Sequence, residues 1–206
     1  SVVADLDIAL ASGVDVVLVC TPTSLHLSHA LAAARAGCHM FIEKPLSHNL
    51  EGIKELKEKI KQKNLFVYVG LCLRFHPVLE YLKKIVKDEE IIYAKTITTS
   101  YLPLWRPNQD YRKSYSADHK KGGGILLELI HELDYNYWLF GNIKKIKGRY
   151  GKISNLEIKS EDFAEMLIEY KNGIKGSIYL NWFSLKNERK IKIYCQFVIW
   201  KEMKLI

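Results

Sequence analysis

The sequence predicts an α/β fold in which a small parallel sheet precedes an α+β domain with a largely antiparallel, open sheet. In the first half, continuous apolar runs of strand length alternate with amphipathic helical segments. That pattern is typical of βαβ units, whose parallel sheet is covered by helices on both faces. In the second half, β-branched residues alternate with polar ones, and Asn172-Gly173 is a strong hairpin signal. We therefore expect two domains, residues 1–74 and 75–206.

The first half is predicted to alternate helices with strands. A short helix, "ADLDIALAS", ends at Gly13, and the apolar strand "VDVVLVCTP" stops at Pro22. The helix "SLHLSHALAAARAG" has Ser24 as its expected N-cap and Gly37 just past its end. The strand "CHMFIEKP" follows, then a lysine-rich helix with a Ser or Asn N-cap and Glu51 in its first turn. The third strand is "LFVYVGLCLRF".

The second half opens with the helix "VLEYLKKIVKDE" and the half-exposed strand "IIYAKTITTSY". A polar and aromatic stretch over residues 102–124 leads into one predicted helix, "ILLELIHELDYNYWLF", which ends at Gly141. The remaining strands are "IKKIKGRYGKI", the hairpin "EDFAEMLIEYKNGIKGSIYLNWF" and "ERKIKIYCQFVIW". Because the hairpin has apolar residues on both faces, we expect self-association through this sheet, as a homo-oligomer.

Composition excludes several classes of protein. With 206 residues and 48% hydrophobic residues, the chain can bury a substantial core, and disorder is not expected. The net charge of +8 lies mostly in lysine-rich stretches typical of solvated faces, which argues against nucleic-acid binding. No apolar run is long enough to span a membrane and no secretory signal is recognisable, so we expect a cytoplasmic location. The four cysteines are widely spaced, which indicates free thiols and no metal site.

Residues 41–47, "FIEKPLS", place a carboxylate, an ammonium and a proline directly after the second strand. Pro45 has no N–H and disfavours helical dihedral angles at Lys44, so the strand should stop there. In the predicted pattern, Thr21 and Arg74 lie at the ends of the other two strands. Ligands of open parallel sheets bind beyond the carboxyl ends of the strands, so a binding site is expected at this edge.

Four motifs in order carry a resemblance to a known family: "VVLVCTPTSLHLSHALAAARAG", "EKP", "VGLCLRFHP" and "GGGILLELIHELDYNYWLFG". The chain strongly resembles the glucose-fructose oxidoreductase, inositol dehydrogenase and MocA family of nicotinamide-dependent oxidoreductases over nearly its whole length. The resemblance implies part of a Rossmann domain followed by an α/β domain used for substrate binding and oligomerisation. It also implies hydride transfer between NAD or NADP and a small-molecule sugar, inositol or sugar-nucleotide hydroxyl, with Lys44 near both reactants.

The candidate cofactor-binding residues are those at or near the strand ends: Thr21, Pro22, His26, Glu43, Lys44, Pro45 and Arg74. For Glu43 and Lys44, the alternative is a solvated surface pair. His29 also follows Pro22, and for both His26 and His29 the alternative to a binding role is a place on the helix surface near the cofactor cleft.

Oxidation of a secondary alcohol needs a base for the hydroxyl proton and a cation to stabilise the developing alkoxide. Lys44 supplies a cation, and His131 is the best candidate for the base. Glu128 and Asp134 are at helical spacing from His131, so either carboxylate could orient the imidazole. We expect these residues to converge on one cleft with Lys44. The alternative for His131 is a hydrogen-bonded structural histidine.

The loop over residues 102–121 is too long for a simple connection and could line a sugar site. The loop residues that could line such a site are Trp105, Arg106, Tyr111, Arg112 and Tyr115. The candidate substrate-binding residues are Trp105, Arg106 and Tyr111 of this set, together with Lys44, Arg74 and His131. Plain packing is the alternative. The glycine triplet that follows is interpreted as a turn before a helix, since no Lys-Ser/Thr follows it as in a phosphate-binding loop.

The sequence departs from the family at its start. It contains no strand followed by G-x-G-x-x-G, the turn that binds a dinucleotide pyrophosphate. We therefore expect the chain as given to bind nicotinamide cofactor weakly or not at all. The alternative function is a non-catalytic remnant that folds and associates through its second domain. Cys72 replaces a common Asn, and Glu128 lies three residues before His131 where the family has Asp and His four apart.

Overall fold

The computed structural model describes residues 2–196 and 201–205. The chain divides into two compact units, residues 1–71 with 120–122 and residues 72–119 with 123–206. Among the described residues, no helix is both long and apolar enough to span a bilayer.

The first unit is built around a three-stranded parallel sheet in the order β1-β2-β3. Its elements, in chain order, are α1 Leu6–Ala11, β1 Val16–Val19, α2 Thr23–Ala36, β2 His39–Ile42, α3 Ile53–Gln62 and β3 Val67–Val69. The alanine-rich side of α2 packs on the sheet, where Ala30, Ala33 and Ala34 are fully buried. The predicted alternation of helices and strands is confirmed.

One face of this parallel sheet is exposed among the described residues, which corrects the expectation that helices cover both faces. Leu18 is 67% exposed and Tyr68 is 65% exposed, whereas Val19 and Ile42 on the opposite face are buried. The strands follow one another in order, so right-handed crossovers place α2 and α3 on the same face.

The two predicted helix N-caps in this unit are wrong. Helix α2 begins at Thr23, directly after Pro22, so Ser24 lies inside the first turn. Helix α3 begins after Gly52, whose φ of 81° is left-handed, and Glu51 precedes the helix. The side chain of Asn49 instead accepts a hydrogen bond from the N–H of Glu51 and stabilises the loop.

The second unit contains a six-stranded sheet in the order β5-β6-β7-β4-β8-β9, in which only the β4–β7 pair is parallel. Its strands are β4 Ile91–Tyr101, β5 Ile143–Gly151, β6 Phe163–Tyr170, β7 Lys175–Asn181, β8 Phe183–Cys195 and β9 Lys201–Lys204. Helices α4 Pro77–Ile85, α5 Ile125–Glu128 and α6 Ile130–Phe140 lie on one side of it, and four short 3-10 turns occur within residues 102–121. The largely antiparallel open sheet and the Asn172-Gly173 hairpin are confirmed.

The core of this unit lies between the helices and one face of the sheet. Leu79 of α4, Tyr135 of α6 and Ile178 of β7 are fully buried in one apolar cluster with Trp182. The opposite face mixes charged residues with exposed apolar ones, such as Leu167.

Two predicted elements are corrected, one in each half of the chain. The single helix after the glycine triplet is two helices, because Leu129 between them has φ −101° and ψ 34°. The third strand ends at Val69, and Arg74 lies beyond it in a 3-10 turn, Cys72–Phe75. The last predicted strand is confirmed as far as Cys195, and its segment 197–200 lies outside the described residues.

Candidate active site

A buried histidine links the two loops that follow β1 and β2 in the first unit. His26 lies in the first turns of α2 and is 2% exposed. Its Nδ1 is 2.7 Å from the carbonyl oxygen of Pro45, and its Nε2 is 2.7 Å from the carbonyl oxygen of Thr21. The ring therefore ties the "EKP" segment to the end of β1, and it is inside the protein, not on the helix surface.

Both partners of His26 are carbonyl oxygens, which only accept hydrogen bonds, so the ring acts as a donor to the strand-end loops. The side chain therefore has a structural role in holding these two loops together.

Lys44 lies directly after β2, in the loop that His26 holds. Its side chain is partly buried, and its backbone N–H donates to the carboxylate of Glu43 at 3.3 Å. The Lys44-Pro45 peptide bond is cis. On the β1 side, the hydroxyl of Thr21 is 3.2 Å from Nδ1 of His29. Polar groups of both loops thus gather at the carboxyl end of the parallel strands, as the strand-end pattern predicts.

Glu128 and His131 flank the break between α5 and α6 in the second unit. Both are buried, with exposed fractions of 7% and 8%. The hydroxyl of Ser116 donates to Glu128 at 3.3 Å. Tyr115 also contacts this carboxylate: burial and then Glu128 raise the pKa of the Tyr115 hydroxyl to about 12. Glu128 is therefore held by hydroxyl donors from the preceding loop.

Asp134 and Arg74 form an ion pair with each other. Nε of Arg74 is 2.8 Å from one oxygen of Asp134, and Nη2 is 2.5 Å from the other. This bidentate geometry is the strong form of the Arg–carboxylate contact, and it raises the pKa of the Arg74 guanidinium. Because the pair joins α6 to the 3-10 turn, it supports a structural role for both residues.

The glycine triplet lets three segments approach closely. A Cβ atom on Gly123 would lie 2.2 Å from the carbonyl oxygen of Tyr115 and 2.6 Å from that of Ser116. On Gly124, which has a φ of 116°, it would lie 2.3 Å from the carboxylate of Glu161. No other residue fits these positions without displacement, so the glycines place Tyr115 and Ser116 against α5.

The loop over residues 102–121 forms a shallow pocket, lined by Leu102, Trp105, Arg106, Gln109, Tyr111, Ser114 and Ser116. Trp105 packs edge-on against Trp182, with 5.3 Å between ring centroids. The hydroxyl of Tyr111 accepts from the N–H of Glu157 at 3.3 Å. The three substrate-binding candidates of this loop therefore line one pocket.

Sequence reasoning missed a buried polar cluster under α6. Glu132 is fully buried, and one of its oxygens accepts from the hydroxyl of Thr98 and from Nε of Arg189, each at 2.8 Å. One signal was available. Arg189 alternates with Ile191 and Ile193, which are buried, so period 2 places an arginine on the inner face. A buried arginine needs a carboxylate partner, but the strand pattern does not show which acidic residue of the chain that partner is.

Two family models match the chain. Residues 1–71 match "Oxidoreductase family, NAD-binding Rossmann fold", and residues 79–197 match "GFO/IDH/MocA C-terminal domain". Among solved structures, levoglucosan dehydrogenase in complex with NADH and levoglucosan has a TM-score of 0.85 at 22% identity, covering 98% of this chain and 57% of that one. WlbA dehydrogenase from Bordetella pertussis, in complex with NADH and UDP-GlcNAcA, has a TM-score of 0.84 at 22% identity, covering 94% and 57%.

Two inositol dehydrogenases are similar to this chain in sequence. Scyllo-inositol 2-dehydrogenase (NAD(+)) of Bacillus subtilis is 31% identical over 81% of this chain and 48% of its own length. Myo-inositol 2-dehydrogenase of Thermotoga maritima is 28% identical over 80% and 49%. The chain thus spans about half the length of the curated relatives it matches. Since the C-terminal family model alone matches more than half of the sequence, the chain belongs to the GFO/IDH/MocA oxidoreductase family.

Proposed function

We propose that this chain is part of an NAD(P)-dependent oxidoreductase that transfers hydride between the nicotinamide and a hydroxyl of a sugar, inositol or sugar nucleotide. The observation that carries the proposal is the match to both family models, joined to a partly buried lysine at the carboxyl end of a parallel sheet. The similarity to two inositol dehydrogenases supports the substrate class.

The residues of the first unit fit the nicotinamide end of such a cofactor. The two loops held by His26 offer the hydroxyl of Thr21, the apolar ring of Pro22 and the ammonium of Lys44. When bound, the cofactor accepts or donates the hydride. Lys44 stabilises negative charge on the reacting oxygen, since a cation in a water-poor site is worth more than in bulk water. Pro45 and Glu43 set the position of Lys44.

In the second unit, His131 takes the hydroxyl proton as general base. Glu128 lies on the adjoining helix and is held by Ser116 and Tyr115, so we propose that it positions the imidazole. Asp134 and Arg74, which bind each other, act in this scheme by fixing α6 and not by touching substrate.

Cofactor titration and turnover test the proposal together. NAD and NADP are titrated calorimetrically into the 206-residue chain and into any longer form that its gene encodes, and NADH formation is followed with myo-inositol, scyllo-inositol and levoglucosan. We expect hydride transfer in at least one form, with Lys44→Met and His131→Asn each lowering kcat by about 10²-fold or more.

The control is Lys54→Met, because Lys54 is an exposed lysine on α3 and should have no effect. Absence of both cofactor binding and turnover in every form would overturn the proposal. Micromolar binding by the 206-residue chain itself would contradict only the expectation of weak binding drawn from the missing glycine motif.

We also propose that the chain self-associates through the outer face of the six-stranded sheet and acts in the cytoplasm. On the outer face, Leu167 is 57% exposed and lies between Lys147 and Ser177, its partners on the neighbouring strands. When two such sheets associate, the apolar residues on their outer faces are removed from water, which favours association.

A further inference from the structure

Glu132, in the first turn of α6, is bound to two strands of the six-stranded sheet at once. Its side chain is fully buried, and one carboxylate oxygen accepts from the hydroxyl of Thr98 on β4 and from Nε of Arg189 on β8, each at 2.8 Å. Thr98 and Arg189 are direct partners in the antiparallel register of these strands. The sheet therefore presents two donors side by side, and a single oxygen on the helix meets both.

The end of α6 that carries His131 begins without a capping side chain. Leu129 precedes the helix with a φ of −101° and a ψ of 34°, and its apolar side chain accepts no hydrogen bond from the first turn. Because a capping side chain normally satisfies the free N–H groups that begin a helix, the position of an uncapped turn depends more on tertiary contacts. Glu132 makes such contacts one residue after His131.

Asn136 makes a similar contact one helical turn further along α6. Its amide nitrogen donates to the hydroxyl of Thr96 at 2.8 Å and to the carbonyl oxygen of Glu132 at 2.7 Å. Thr96 and Thr98 are both buried on β4, two residues apart. Four residues of helix and two residues of strand span nearly the same length, about 6 Å and about 6.6 Å. Asn136 thus holds the middle of α6 on β4, and Glu132 holds its uncapped first turn.

Stability does not explain the pairing of Glu132 with Arg189. Within the part of the chain that the structure describes, the second carboxylate oxygen of Glu132 is buried and has no hydrogen-bonding partner. The desolvation of a buried ion pair can exceed its attraction, and apolar residues of similar volume are often as stable or more stable. A directional contact that holds the helix in one place is what the charged pair provides and an apolar pair would not.

We propose that Glu132 is a positioning residue for His131: its contacts with Thr98 and Arg189 fix the first turn of α6 on the sheet, and this places the His131 imidazole for proton transfer. The assignment rests on the proposed function for the role of His131 as general base. A misplacement of a reacting group by about 1 Å can lower a rate by about 10²-fold, so the contact matters for turnover even where it adds little to stability.

The double variant Glu132→Leu/Arg189→Met separates positioning from stability. It replaces the charged pair with apolar side chains of similar size, so its urea midpoint should equal or exceed that of the wild type. In the form of the protein that oxidises inositol, kcat should fall by about 10-fold or more while KM changes by less than about 2-fold. Glu132→Gln keeps an oxygen that can accept from both donors, and it should retain kcat within about 3-fold.

Crystal structures of the 206-residue chain give a readout that needs no turnover. In the double variant, the His131 imidazole should move by about 1 Å or more relative to β4, and in Glu132→Gln it should stay within about 0.5 Å. If the double variant does not fold, Thr98→Val takes its place with the same readouts, because it removes a single donor and keeps the size of the side chain.

The matched control is Asn136→Leu/Thr96→Val, which removes the polar contact one turn further along the same helix and strand. It should leave kcat within about 3-fold and the imidazole in place. An unmoved imidazole in the Glu132 variant overturns the proposal, as does an unchanged kcat or an equal loss of kcat in the control. If no form of the protein turns over, the proposed function fails, and the displacement of the imidazole still decides whether Glu132 positions His131.

Discussion

At the scale of single residues, the most direct prediction concerns the two hydrogen bonds of His26. Both ring nitrogens face carbonyl oxygens at 2.7 Å, and the side chain is 2% exposed. Urea unfolding of the wild type and a His26 variant measures what these contacts contribute, and an unchanged unfolding free energy would contradict their role. Replacing His26 with Phe should lower the free energy of unfolding by about 1–3 kcal/mol, because at least one buried carbonyl loses its donor.

Glu132 is predicted to make folding stability depend on pH. Burial raises the pKa of Glu132 above its ordinary value of 4.5, and the Arg189 guanidinium opposes the rise. The folded state therefore binds more protons than the unfolded state, so the stability that Glu132 contributes is complete below 4.5 and is lost as pH rises through the raised pKa. In Glu132→Gln this loss disappears. Urea unfolding of both proteins should show that the unfolding free energy of Glu132→Gln increases relative to that of the wild type as pH rises through the raised pKa of Glu132.

Arg189→Met tests the same cluster by removing the cation instead of the carboxylate. It leaves the fully buried carboxylate without its cation, which costs about 3–5 kcal/mol of unfolding free energy where Glu132 is ionised. Adding Glu132→Gln to that variant should recover part of the loss. Equal pH profiles for wild type and Glu132→Gln would show that Glu132 does not change its proton affinity on folding.

At the scale of elements, the loop before α5 depends on Gly123. A methyl group there would overlap the carbonyl oxygens of Tyr115 and Ser116, so the loop must shift. We expect Gly123→Ala to lower the free energy of unfolding by about 1–3 kcal/mol, the usual cost of overpacking.

Gly151→Ala is the matched control for that substitution. Gly151 ends β5, has no atom within 4 Å of an added Cβ and has no left-handed φ. Its replacement should change the unfolding free energy by no more than about 0.5 kcal/mol. Similar losses in the two glycine variants, measured by urea titration, would contradict the close-approach explanation.

At the scale of the whole molecule, association through the sheet is predicted to depend on Leu167. Leu167→Lys places a charge on the outer face opposite Lys147, so it should weaken the self-association constant by about 10-fold or more. Sedimentation velocity over a concentration series measures it. Ile146→Lys is the control, since Ile146 pairs with the inward-facing Ile168 and lies on the other face. A wild-type chain that stays monomeric at high concentration would refute the association.

The fold was largely predictable because its signals are local. Apolar runs of strand length, amphipathic helices and the Asn172-Gly173 turn each lie within a short stretch of sequence, and their order distinguishes the parallel sheet from the antiparallel one. Element boundaries were less predictable. The apolar pattern continues through Leu129, so nothing in it signals the break between α5 and α6.

The features of the candidate site were predictable from the sequence only where they depend on local properties of the chain. The sequence by itself determined that Lys44 follows a parallel strand and that Glu128 and His131 lie three residues apart in a helical stretch, because dihedral limits and helical spacing are local properties. Only the tertiary structure decided that His26 bridges the two strand-end loops, that Asp134 is held by Arg74, and that Glu132 meets Arg189. Each of these contacts joins residues far apart in the chain, and a side chain's partner depends on packing that no local pattern encodes.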